Sequence, residues 1–107
     1  MKLVRLGFAF LLCVPALEAV MAQQSPAEQR GMVFVRTNCM QCHSIDPVGP
    51  SPLSEAPPFR DLHKRYPVES LEEAFAEGIR TGHPGMPEFR LEPDQIGDLI
   101  AFLKSLE

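Results

Sequence analysis

The sequence predicts an all-α domain of three to five short helices. Three observations carry that expectation. Ser-x-x-Glu capping boxes at Ser25 and Ser70 signal helix starts, and apolar residues recur at spacings of three and four in separate stretches. Five prolines crowd residues 47–58 between those stretches, and no convincing strand pattern is present.

At 107 residues the chain has room for one small domain, and its first 22 residues read as an address rather than as part of that domain. Lys2 and Arg5 make a positive start, "LGFAFLLCVPAL" is an apolar run, and Val20 and Ala22 occupy the small-residue positions before a cut after Ala22. Residues 1–22 are therefore expected to be a cleaved signal peptide, and residues 23–107 the mature domain, exported to the periplasm. A retained N-terminal anchor is the alternative, although the apolar run is short of the roughly 20 residues that span a bilayer. Cys13 raises the idea of a lipoprotein cysteine, against which bulky Leu12 argues.

The first helix is expected from "SPAEQRGMVFVRTN", with Ser25 as N-cap, Pro26 at the first helical position and Glu28 completing the box. Ala27, Gly31, Phe34, Val35 and Asn38 share one face, and the helix runs straight into Cys39. Prolines 47, 50, 52, 57 and 58 exclude a helix from the next stretch, because proline lacks an amide donor and biases the preceding residue away from helix. A short turn follows at "FRDLHKRY", where Phe59, Leu62 and Tyr66 are spaced by three and four. "SLEEAFAEGIRTG" predicts a second helix capped by Ser70 with Glu73, carrying Leu71, Ala74, Phe75 and Ile79 and stopped by Gly82. After the loop "HPGMPEF", a closing helix starts at Pro93 and lines up Ile96, Leu99, Ile100, Leu103 and Leu106, with Phe102 beside the stripe.

Removing residues 1–22 takes away Lys2, Arg5 and Glu18, so the 10 basic and 14 acidic residues become 8 and 13, a net charge of −5. That balance gives no electrostatic footing for nucleic acid and favours a protein partner with a basic docking surface. Cleavage also removes Cys13, which leaves Cys39 and Cys42 as the only thiols of a small exported domain. A disulfide between them would close too short a loop to stabilise much. Short helices around an undersized core leave the middle of the domain to be filled by something else.

The residues "CMQCH" answer both problems, because C-x-x-C-H is the attachment signature of c-type haem. Cys39 and Cys42 would each add to a haem vinyl group as a thioether, and His43 would take the iron as proximal ligand. Two other uses of the pair are weaker. Zinc would need a second ligand pair, for which only His63 and His83 are present, and a redox-active C-x-x-C belongs near a βαβ pattern that is absent.

The chain as a whole resembles a small class I, mono-haem cytochrome c. The likeness covers nearly all of residues 25–107: a helix with glycine then phenylalanine leading into "CMQCH", a proline-rich loop, a "GMP" ligand loop and an amphipathic last helix with an aromatic. The resemblance implies one haem c, attached through its two cysteines, and a methionine from the loop before the last helix as sixth iron ligand. Met86 matches that position. Pro84 and Pro87 stiffen its loop, Met40 should point away from the iron, and Met32 reads as packing. His83 is the rival ligand, and bis-histidine ligation would lower the potential relative to histidine–methionine.

Family members also hold the proximal histidine with a proline carbonyl, and "APPFRDL" resembles that element, with Phe59 and Leu62 packing on the haem. Pro57, Pro58 and Pro50 all remain candidates for the carbonyl. Gly31 and Phe34 on the first helix and Phe102 on the last match the family's helix crossing. Tyr66, Arg60 and Arg65 are candidates for the propionates, and His63 reads as a surface residue.

The resemblance implies a one-electron carrier and not an enzyme, since histidine and methionine together leave the iron no open position. Two alternatives are a cytochrome c subunit of a larger dehydrogenase, and a gas-binding or peroxidatic cytochrome with Met86 off the iron. Redox proteins are the partners expected, with no nucleic acid, no membrane span in the mature form, and a monomer or a complex subunit as the state.

Overall fold

The computed structural model describes residues 23–81 and 83–107; the proposed signal segment 1–22 and the expected stop at Gly82 lie outside the described residues. Three α-helices form, α1 (Pro26–Asn38), α2 (Leu71–Glu77) and α3 (Pro93–Ser105), with 3-10 turns at Phe59–Lys64 and Val68–Ser70. Among the described residues there is no strand, only an isolated antiparallel bridge between Ile79 and Phe89. The all-α expectation holds.

At the start of α1 the Ser25 half of the expected box forms, with the Glu28 amide donating to Ser25 Oγ at 3.2 Å and Pro26 in the first turn, while no bond from the Ser25 amide to the Glu28 side chain is made among the described residues. Gly31 and Val35 are buried, Ala27 and Phe34 are half-buried, and Asn38 turns outward to donate to the Phe34 carbonyl at 2.9 Å. α3 starts with a capping box of its own, between Glu92 and Gln95, and buries Ile96, Leu99, Ile100, Phe102 and Leu103. The α1–α3 crossing is the largest contact between elements. Gly31 makes it possible, because a β-carbon there would lie 2.1 Å from the Asp98 carbonyl oxygen and 2.7 Å from Phe102 Cβ. Beside it the Arg30 guanidinium grips the Asp98 carboxylate with two bonds of 2.9 Å.

The second helix is shorter than its sequence pattern suggests. It ends at Glu77, where Gly78 takes φ +104°, a left-handed conformation that glycine alone adopts without strain. Ile79, expected on the helical stripe, instead donates its amide to the Phe89 carbonyl at 2.9 Å. The Ser70 capping box also fails to form. Ser70 closes the preceding 3-10 turn with helical angles, φ −64° and ψ −15°, and makes no side-chain cap, whereas an N-cap needs an extended backbone. In the turn at 59–64, Leu62 is buried and Phe59 half-buried, but Tyr66 beyond it is exposed.

Among the described residues no helix is long and apolar enough to cross a membrane.

Candidate functional site

The C-x-x-C-H motif is a continuation of α1. The amides of Cys39 and Met40 both reach the Val35 carbonyl, at 2.8 and 3.0 Å, and those of Cys42 and His43 both reach the Cys39 carbonyl, at 3.2 and 3.0 Å. The coil thus winds on past the end of the helix and brings His43 one turn beyond Cys39. Met40, between the cysteines, is exposed.

Cys39 and Cys42 are free thiols, each half-buried. Burial pushes the Cys39 thiol up to about 11, so its neutral form prevails at pH 7. A thioether is uncharged too, and fits the same apolar surroundings, whereas a metal thiolate would place a charge there. Among the described residues no group of three or more His, Cys, Asp or Glu side chains is arranged to hold a metal ion.

His43 Nδ1 lies 2.8 Å from the Pro57 carbonyl oxygen. A carbonyl only accepts, so Nδ1 carries the proton and donates it, leaving the Nε2 lone pair available to a metal. No hydrogen bond to Nε2 forms among the described residues. Of the three prolines open to sequence reasoning, the fold brings Pro57 to the histidine. Phe59 covers the ring, with centroids 4.7 Å apart and planes tilted by 37°. Leu62, on the same 3-10 turn, is buried in the core cluster, and Phe59 packs against that cluster.

The segment bearing Met86 is joined at its base by the Ile79–Phe89 bridge, and the Leu91 amide donates to the Phe75 carbonyl of α2 at 2.9 Å. Inside it the Met86 amide bonds the His83 carbonyl at 3.1 Å, turning the chain over Pro84 and Gly85. Met86 is half-buried, whereas His83 is exposed and its amide is engaged by the Thr81 hydroxyl at 3.3 Å. Phe89 also meets Phe34 of α1 edge-on, with centroids 6.4 Å apart. His63 is exposed, as expected.

Phe34, Cys39, Phe59, Ile79 and Phe89 pack against the core yet stay half-exposed, and they come from every segment that bears a motif residue. A flat apolar group with a metal at its centre suits these side chains, the neutral Cys39 sulfur and the free imidazole nitrogen. A separate cleft of about 470 Å³ lies between α1, α3 and Ile45–Pro47, and its lining includes none of Cys39, Cys42, His43 or Met86.

Sequence reasoning did not single out Ser44, which proves to be a buried polar residue next to His43. Its position beside the motif was the one available signal.

A family profile described as cytochrome c matches residues 28–107. A cytochrome c-553-like protein of Synechocystis sp. is 28% identical over 102 residues, covering 92% of this chain and 87% of its own length. No solved structure gives a significant match. The chain belongs to the cytochrome c family, whose members carry a covalently bound haem c and use its iron in electron transfer.

Proposed function

We propose that residues 23–107 form a freely diffusing one-electron carrier, not an enzyme, in which Cys39 and Cys42 hold the haem and His43 and Met86 are the axial ligands. The observation that carries this reading is the 2.8 Å bond from His43 Nδ1 to the Pro57 carbonyl, which leaves Nε2 as the ligating nitrogen. Haem c, when bound, supplies one reversibly exchanged electron at its iron.

The chain's own residues do the rest. Cys39 and Cys42 tether the group at the end of α1, and Phe59 restrains the imidazole ring from its side. Met86 is favoured over His83 by its partial burial in a loop closed at the base, while His83 is exposed. With His43 and Met86 both holding the iron, no position would stay open for oxygen or a substrate. This separates a carrier from a gas-binding or peroxidatic protein, and methionine ligation places the potential on the higher side of the haem range.

Residues 1–22 serve as a signal peptide cut after Ala22, so the carrier works in the periplasm. Its net charge of −5 suits partners with a basic docking surface and an encounter interface under about 1,200 Å². The test combines sizing chromatography with stopped-flow kinetics. A monomer whose oxidation by its partner slows as salt rises is expected, since at 0.15 M ionic strength charges act over only about 8 Å. Co-elution with an oxidoreductase at high salt would replace the free carrier by a dehydrogenase subunit.

A further inference from the structure

Ser44 is the one buried polar or charged residue among the described residues, 7% exposed, and its amide, carbonyl and hydroxyl oxygen are each engaged by the proline loop or the 3-10 turn after it. Its amide donates to Ser51 Oγ at 3.0 Å, and its carbonyl accepts from the Phe59 amide at 2.9 Å. Its hydroxyl oxygen accepts from Arg60 Nη1 at 3.2 Å, and the same nitrogen donates to the Asp46 carbonyl at 3.3 Å. His43, the preceding residue, bonds Pro57. Residues 43–44 and 57–60 are therefore joined three times in succession, and the His43–Pro57 bond is one rung of that ladder. A lone histidine–carbonyl bond would leave the imidazole free to rock about its Cβ, but the two rungs at Ser44 fix the backbone from which it projects. A buried polar group held on three sides is costly to disturb, because any partner removed leaves an unpaired atom out of water.

We infer that Ser44, clamped by Arg60, is the residue that positions His43 on the Pro57 carbonyl and so sets how strongly the histidine donates to iron. This rests on His43 being the proximal ligand. The sign follows from the bond itself. An Nδ1–H donated to a carbonyl makes Nε2 more basic, and a more basic ligand favours ferric iron. Loosening the ladder weakens that donation and raises the reduction potential. Arg60→Lys is informative because it keeps the positive charge while replacing a planar fork, which serves two acceptors from one nitrogen, by a point donor on a flexible stem.

The experiment uses the haem-loaded protein and measures two quantities that a loss of packing alone does not move together: the reduction potential, and the paramagnetic NMR shifts of the ferric haem methyls, which report the orientation of the axial imidazole. Ser44→Ala and Arg60→Lys should both raise the potential and redistribute the methyl shifts in the same sense, and the double variant should go little beyond the larger single effect. Arg30→Ala, which breaks the α1–α3 ion pair away from this ladder, is the control, expected to lower the unfolding midpoint while leaving both quantities in place. If Ser44→Ala does not accumulate, Arg60→Lys decides alone, its side chain lying on a partly exposed turn. Potential and methyl shifts that stay at wild-type values, or move no further than in Arg30→Ala, would overturn the inference. Failure of His43 as ligand would be visible separately, as a His43→Ala variant whose haem spectrum matches wild type.

Discussion

Gly31→Ala perturbs the fold at its tightest point. The new methyl would stand 2.1 Å from the Asp98 carbonyl oxygen and 2.8 Å from its carbonyl carbon, both backbone atoms of α3. Ordinary contact begins near 3.4 Å, so α1 and α3 must part by roughly 1.3 Å, the difference between the two distances. A gap of 0.5–1 Å already forfeits a quarter to a half of the dispersion energy between facing atoms, and overpacking of this kind costs about 3 kcal/mol at the upper end of its usual range. Alanine returns about 1 kcal/mol as the better helix former. The net loss is about 2 kcal/mol or more, worth roughly 8–16 °C in a domain of this size. Denaturant unfolding of the haem-loaded protein, followed by helix circular dichroism, should show a lower midpoint at unchanged slope. A midpoint equal to or above wild type would mean that the helices do not cross at Gly31, and the account of the core would be wrong.

Replacing Cys39 and Cys42 together by serine should abolish covalent attachment and leave little folded protein, because the haem completes the core; export of a folded, haem-free double variant would refute that dependence. Acid should weaken the fold in a defined way. The Arg30 guanidinium holds the Asp98 carboxyl below its usual range, and Lys64 and Lys104 do the same for Asp61 and Glu69. Groups whose folded value is depressed contribute stability above the ordinary carboxylate range, near pH 4, and lose it as pH falls through their lowered values. Between roughly pH 6 and pH 3 the unfolding midpoint of wild type should therefore drop further than that of Asp98→Asn, and parallel curves would remove the α1–α3 ion pair from the stability account.

The sequence made α1 and α3 legible because each carries its own boundaries: Ser25 and Pro26 open α1, Pro93 opens α3, and the apolar stripes show which face is buried. The Glu92–Gln95 box escaped notice because glutamate is not among the favoured N-caps. α2 misled for a tertiary reason. Its stripe continues to Ile79, but the chain spends that residue on the bridge with Phe89, and Gly78 supplies the turn that allows it. Local pattern cannot weigh a contact made ten residues later. The motif from Cys39 to His43 was legible because haem attachment demands a contiguous spacing. The choice of Pro57 among three prolines and the role of Ser44 depend on how the proline loop folds back, and no residue pattern encodes that fold-back locally.

Met86 decides whether the iron is closed or open to small ligands. The most direct test is the ferric visible spectrum of the purified haem-loaded protein, read with Met86→Ala and His83→Ala beside it. Sulfur on ferric haem iron gives a weak charge-transfer band at the far-red end of the spectrum. Wild type and His83→Ala should show the band, while Met86→Ala should lose it, keep its covalent haem, fall in potential and bind carbon monoxide in the ferrous state. A wild-type spectrum without the band, unchanged by Met86→Ala and altered by His83→Ala, would contradict the proposed ligand pair.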